Sequence, residues 1–194
     1  MHNQGKLAGN LMGCVVGSAV VCSSAGAGIS VFDFILEGQQ EVPASASDAL
    51  GVGSLTYFDD TQTFDLELVT DGLSLGELLG VGPNSSPIHI HMAPAGANGP
   101  IVVDLGLIAD FVDEGFGILS FSVSGVPIGG PQGLVPDSDP LLNEAALFRS
   151  ELYVNIHTSA FPGGAIRGQI PAPATLAAPA FVGLMAARRR RVRA

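Results

Sequence analysis

Three of the four histidines in this chain of 194 residues lie in two short segments that could together bind a metal ion. His89 and His91 alternate with isoleucines in 88–91, and His157 also follows an isoleucine in 153–158. Because residues two apart on a β-strand point to the same face, His89 and His91 share one face and the isoleucines take the other. His157 can join them from a second strand. Three imidazole nitrogens are a donor set that suits copper or zinc.

A structural role for the same histidines is the preferred interpretation, and metal binding is the alternative. Each segment is followed by a glycine-rich turn, 93–100 and 161–170, to which the imidazoles could donate hydrogen bonds, since buried polar groups must be satisfied. Asp104 could lie near the cluster. Arg167 is predicted to hold one or two carboxylates by charge-assisted hydrogen bonds, and the alternative is that it guides an anion to the histidines.

The elements that must position these residues are mostly strands. Alternation of apolar and polar residues around the turn 59–62 predicts a hairpin with its apolar face towards a core. Strands are predicted at 31–36, 53–58, 63–69, 87–92, 100–105, 117–124, 151–157 and 165–170, separated by Gly/Pro turns. About eight short strands at this spacing predict an all-β fold, an antiparallel Greek-key β-sandwich.

One short helix is also predicted, ahead of the strand that carries His157. Asp139 can cap its N-terminus, Pro140 suits its first position, and the apolar residues Leu141, Ala145 and Phe148 fall on one face. The helix is expected to run to about residue 149.

The two histidine segments resemble the signatures of the chordin-type (CHRD) domain. The run 88–91 is similar to the family's His-Ile-His-Gly-Pro-Ala, and 155–167 (NIHTSAFPGGAIR) to its Asn-Ile-His-Thr…Pro-Gly-Gly-Glu-Ile-Arg run. Ala165 stands where that run has Glu, and Met92 where the first has Gly. The resemblance implies a CHRD domain over 28–170 and, from the family's animal members, binding of extracellular signalling proteins.

A weaker resemblance, over short segments only, is to the copper half of copper–zinc superoxide dismutases. Those β-sandwiches also have a His-x-His strand, a later strand histidine and a glycine-rich turn with an arginine. The fourth histidine here, His2, lies in the N-terminal segment, so the bridging histidine and the zinc site of those enzymes have no counterpart. The enzyme activity is therefore not expected.

Both ends of the chain indicate export. Residues 1–27 combine Lys6, an apolar stretch and an Ala-x-Ala ending at Ala27, which predicts a signal peptide cleaved after Ala27. Both cysteines, Cys14 and Cys22, lie within it, so the mature protein is predicted to have no disulfide.

The segment 171–194 resembles the bacterial PEP-CTERM sorting signal. It has Pro171, Ala172 and Pro173 in place of Pro-Glu-Pro, an apolar run at 176–187 predicted to form a helix, and an arginine cluster at 188–193. The resemblance implies recognition by an exosortase-type sorting enzyme, transient membrane insertion and delivery to the cell surface or extracellular matrix. By the positive-inside rule the arginines stay cytoplasmic and the domain lies outside.

The negative charge of residues 28–170 indicates which classes of partner the domain can bind. All 18 acidic residues lie within 28–170, against two basic ones, Arg149 and Arg167. Such a field repels nucleic acid and favours cations and cationic partners. The sequence therefore predicts a secreted, surface-sorted binding or structural module without catalysis, with an unknown extracellular ligand. The alternative is a periplasmic or extracellular copper- or zinc-binding protein.

Overall fold

The computed structural model describes residues 28–82, 85–131, 135 and 138–173. They form nine strands, one α-helix and two 3-10 turns at Gly38–Gln40 and Leu105–Leu107. The strands are β1 (Ile29–Glu37), β2 (Leu50–Phe58), β3 (Thr63–Asp71), β4 (Ile88–Met92), β5 (Ile101–Asp104), β6 (Val112–Gly115), β7 (Ile118–Pro127), β8 (Leu152–Ile156) and β9 (Ile166–Gln169), and the helix is α1 (Pro140–Leu147).

The strands form one antiparallel sheet in the order β5-β4-β8-β9-β1-β2-β3-β7-β6. Strands β9 and β1 pair at a single position, Glu37 opposite Arg167, and this divides the sheet into a four-strand and a five-strand half. Buried residues from both halves belong to one hydrophobic core, so the fold is sandwich-like. The predicted all-β class with one short helix is confirmed. The likeness to superoxide dismutase remains a prediction.

Strict alternation builds the five-strand half. In the β2–β3 hairpin, Phe58 pairs with Thr63 across the turn 59–62, as predicted. Leu55 faces the core from β2, and Phe64 and Leu66 from β3, all fully buried, while their neighbours along each strand are more exposed. The period of two that the sequence shows is thus the period of burial.

All eight predicted strands are present, and β6 is the one that the sequence analysis missed. Its residues Val112–Gly115 are exposed or half-buried and show no apolar alternation. The strand lies at the edge of the sheet and pairs with β7 alone. An edge strand without a buried face leaves no periodic signal in the sequence.

The helix begins as predicted, but the predicted apolar face is not the buried one. The Asp139 carboxylate accepts hydrogen bonds from the amides of Leu141 and Leu142 at 2.9 and 3.4 Å. Leu141 is 68% exposed, whereas Asn143, Ala146 and Leu147 are buried. Asn143 donates to the carbonyl of Ile128 at 2.9 Å, and this bond turns the polar side chain inwards. The pattern of apolar residues carried no signal for that bond.

Several predictions lie at the ends of the chain. The signal peptide 1–27, with its cleavage after Ala27, and the apolar run and arginine cluster of 174–194 lie outside the described residues. Pro171, Ala172 and Pro173 are described and follow β9 as irregular chain. Within the described residues, no helix has the length and apolar character needed to cross a membrane.

Candidate metal centre

The two histidine-bearing strands are neighbours in the four-strand half. Strands β4 and β8 pair antiparallel, with Ile88 opposite Ile156, and both side chains are fully buried in the core. His157 directly follows β8, and its backbone N–H donates to the carbonyl of Pro87 at 2.9 Å. Burial of the isoleucines therefore forces the intervening imidazoles to the opposite face of the same pair of strands.

The three imidazoles converge, as the alternation predicted. One ligand nitrogen from each of His89, His91 and His157 lies within 4.8 Å of the other two. The nearest pair is Nδ1 of His89 and Nε2 of His157, at 2.9 Å. His89 and His157 are buried, and His91 is half-buried. The geometry thus brings together all three residues that the sequence singled out.

Two backbone carbonyls fix the orientation of two rings. Nδ1 of His91 donates to the carbonyl of Gly99 at 3.0 Å, and Nδ1 of His157 donates to the carbonyl of Pro162 at 3.1 Å. Both carbonyls belong to the glycine-rich turns that follow the histidine segments. A side chain at Gly99 would collide with the carbonyl of Met92, so only glycine lets the first turn approach β4 this closely.

Asp104 completes the surroundings of the third ring. It is paired with His89 across β4 and β5, and its Oδ2 lies 3.5 Å from Nε2 of His89. Its other oxygen, Oδ1, and Nε2 of His91 are both buried without a hydrogen-bond partner. Two unpartnered buried acceptors beside one cluster of lone pairs are a cost, which a cation bound to Nε2 of His91 would reduce.

The imidazoles are uncharged at neutral pH. Burial lowers the pKa of His89 to about 4, with the neighbouring His157 adding to the effect and Asp104 opposing it. Burial also lowers the pKa of His91 to about 4, against the hydrogen bond to Gly99. Burial lowers the pKa of His157 as well, against the hydrogen bond to Pro162. Each ring therefore offers a lone pair to a metal ion without first losing a proton.

A stack of side chains supports His91. Its ring lies parallel to that of Tyr153, at 9° and 5.0 Å between centroids, and the guanidinium carbon of Arg167 lies 3.5 Å from the Tyr153 centroid. The Tyr153 hydroxyl accepts a hydrogen bond from the amide of Gly99 at 3.2 Å. Tyr153 was not selected as a site residue from the sequence, although its spacing to His157 puts both on one face of the strand.

The prediction that Arg167 holds a carboxylate is wrong. Its guanidinium donates to the carbonyls of Ala97 and Pro94, at 2.8 and 3.2 Å, and to Oε1 of Gln169 at 2.7 Å. Among the described residues the arginine–carboxylate ion pair within 4 Å is Arg149–Glu151, and Arg167 has no carboxylate within that distance. Carbonyls of the turn 93–100 accept these hydrogen bonds in place of a carboxylate. The guanidinium thereby holds the turn that orients His91.

Glu41 is the buried carboxyl nearest to this arginine. Burial raises the pKa of Glu41 to about 7, while the charge of Arg167 and a hydrogen bond from Asn155 act in the opposite direction. Its Oε1 has no partner and lies where a side chain at Gly164 would collide with it. Gly164 also adopts a φ of 138°, a backbone conformation that other residues rarely adopt. Both the lack of space and the backbone conformation therefore require glycine at this position.

The raised pKa makes the stability of the fold depend on pH. The folded state prefers protonated Glu41. The contribution of this protonation to the free energy of unfolding is therefore complete below pH 4.5 and is lost as the pH rises through about 7. We expect Glu41→Gln to increase the free energy of unfolding by about 2–3 kcal/mol at pH 8 and to change it little at pH 4. Denaturant unfolding at both pH values measures this, with the exposed Glu67→Gln as control. Equal effects of Glu41→Gln at the two pH values would contradict it.

The comparisons with known proteins give one match. The family model of the CHRD domain matches residues 32–170, which include all three histidines, Asp104 and Arg167. No curated protein and no solved structure matches the chain. The match extends from β1 to the end of β9 and covers well over half of the sequence. The chain belongs to the CHRD domain family.

Proposed function

We propose that the protein is an exported binding module that holds one copper or zinc ion with His89, His91 and His157. The observation that carries the proposal is the set of hydrogen bonds and close contacts made by the nitrogens of the three rings. Carbonyl oxygens only accept, so the bonds to Gly99 and Pro162 place the protons of His91 and His157 on Nδ1. The lone pair on Nε2 of both rings is then directed into the cluster.

The third ring cannot satisfy both of its neighbours on its own. Uncharged His89 has one N–H, but its Nδ1 faces the Nε2 lone pair of His157 and its Nε2 faces the carboxylate of Asp104. Whichever nitrogen carries the proton, the other nitrogen faces an acceptor. Protonating both nitrogens is disfavoured because burial lowers the pKa of His89 to about 4.

A cation among the three nitrogens removes this conflict. Nδ1 of His89 and Nε2 of His91 and of His157 would be the ligands, and Nε2–H of His89 would donate to Asp104. Each ligating imidazole then donates its remaining N–H to an oxygen, as metal-binding histidines usually do. Nitrogens at about 2.0 Å from a zinc ion stand roughly 3.3 Å apart. The pair at 2.9 Å would therefore separate slightly, and the wider spacings, which reach up to 4.8 Å, would close.

Binding without catalysis is the proposed role of the ion. Three neutral imidazoles match copper and zinc better than calcium or magnesium, which prefer oxygen ligands. Asp104 is placed to orient His89 through its outer nitrogen rather than to act on a substrate. The place of the three rings, between strands β4 and β8 and the two glycine-rich turns, also favours a role in holding the two histidine segments together.

Export belongs to the same proposal. CHRD domains occur in extracellular or secreted proteins. The Ala-x-Ala pattern ending at Ala27 and the PEP-CTERM-like segment 171–194 support secretion followed by exosortase-dependent delivery to the cell surface or matrix, with transient insertion in the inner membrane. The cellular location of a chain lacking 171–194 is the measurement that tests whether this segment directs delivery to the cell surface or matrix.

Metal analysis of the purified protein tests the proposal. We expect the full-length protein, saturated with copper or zinc and then desalted, to retain about one ion per chain, because three buried neutral ligands converge. His91→Ala should retain far less. His91 is half-buried whereas His89 and His157 are buried, so this substitution disturbs the packing least of the three. A wild-type protein that retains no ion would refute metal binding and leave the structural role of the histidines.

A further inference from the structure

The outer face of the five-strand half carries an apolar row that runs across the strands. Ile35 of β1 pairs with Val52 of β2, and Val52 pairs with Val69 of β3. Their side chains are 57%, 60% and 44% exposed. In an antiparallel sheet with one face on the core, the other face is normally polar. A continuous apolar row on that face indicates an interaction surface.

Acidic residues flank this row on both sides. On one side Asp33 and Glu67 are joined through Ser54, and on the other Glu37 and Asp71 are joined through Leu50. Each acidic row lies two residues along the strands from the apolar row, about 7 Å away, so the two acidic rows are about 14 Å apart. The surface is therefore an apolar strip between two negatively charged borders.

The strip is a shallow, open depression. Two adjoining grooves of about 430 and 660 Å³ share Ile35, Val52 and Val69 as lining residues. The described cations do not neutralise the borders, because Arg167 is buried and Arg149 pairs with Glu151. The charge borders are thus free to attract a cationic partner, and the negative field of the domain would speed its approach.

We propose that this groove binds a cationic amphipathic helix of a partner protein, lying across strands β1, β2 and β3. A helix about 10 Å in diameter fits between the acidic rows, with its apolar stripe on Ile35, Val52 and Val69. Lysines or arginines beside the stripe would reach Asp33 and Glu67 on one side and Glu37 and Asp71 on the other. A second copy would bring acidic rows against acidic rows. The surface is separate from the histidine cluster, and the inference does not depend on metal binding.

A synthetic helix of leucine and lysine, about 14 residues long with leucines at i, i+3 and i+4 spacing, tests the proposal. We expect it to bind the full-length protein at one site with a Kd below about 100 μM, and to bind more weakly as salt is raised. Val52→Asp should weaken binding at least tenfold. That variant adds negative charge, which would strengthen unspecific attraction, so only loss of the apolar row can explain weaker binding.

The matched control is Val81→Asp, at a valine of similar exposure in the loop between β3 and β4. It adds the same charge and should bind the peptide as tightly as wild type does. Circular dichroism of both variants checks that they remain folded. No binding, equal binding by Val52→Asp, or equal binding of a leucine–glutamate peptide would overturn the proposal. A wild-type dimer in sedimentation that Val52→Asp dissociates would assign the surface to a second copy instead.

Discussion

Loading the three-histidine site with copper or zinc is expected to raise the unfolding temperature of the protein by roughly 8–16 °C. An ion present at 1,000 times its Kd stabilises the folded state by about 4 kcal/mol, because the unfolded chain does not hold the three ligands together. For a domain of this size each kcal/mol shifts the midpoint by about 2–4 °C. Thermal denaturation followed by circular dichroism, with and without the ion, measures the increment.

Variants at two positions show whether the rise in unfolding temperature comes from metal binding at this site. His157→Ala should abolish it, since the remaining two histidines lie on one strand and leave the cluster without its partner from the adjacent strand. Asp104→Asn should reduce metal affinity by about 10–100-fold, the usual effect of removing the acceptor of a ligating histidine. The metal-free form of each variant is its own control. An increment that persists in His157→Ala would contradict the proposed ligand set.

The convergence of the histidines was predictable because strand geometry leaves few options. Alternation with isoleucine fixes the face of His89 and His91, and the similar setting of His157 predicts a second strand at the same depth. The register that places Ile88 opposite Ile156 depends on both strands burying their isoleucines. Burial of apolar side chains, which sequence periodicity reports well, is therefore what assembled the cluster.

The partners of the polar groups were not predictable in the same way. Arg167 binds carbonyls rather than a carboxylate because the turn 93–100 folds over it, and a backbone path through a glycine-rich turn leaves no residue pattern. The carbonyls of Gly99 and Pro162, which orient two ligands, are equally invisible in side-chain chemistry. The buried face of the helix differed from the predicted one for the same reason, because a single hydrogen bond to a backbone oxygen turns Asn143 inwards.

Arg167 links stability to the proposed site. The residue is 1% exposed, and its guanidinium contacts the Tyr153 ring. It donates two hydrogen bonds to carbonyls of the turn carrying Gly99 and a third to Gln169. Replacing it by methionine keeps much of the volume but leaves the turn without its donors. Hydrogen bonds from a charged group contribute about 1.5–3 kcal/mol each, and part of this is recovered when the charge is no longer buried.

We therefore expect Arg167→Met to lower the free energy of unfolding by about 3 kcal/mol and to weaken metal binding at least tenfold, because His91 loses the carbonyl that orients it. Denaturant unfolding of the metal-free protein and competitive metal titration measure the two effects separately. Arg149→Met is the matched control, since Arg149 makes an exposed ion pair with Glu151 and its loss should cost less than about 1 kcal/mol. An Arg167→Met protein with reduced stability but wild-type metal affinity would show that the turn does not position His91.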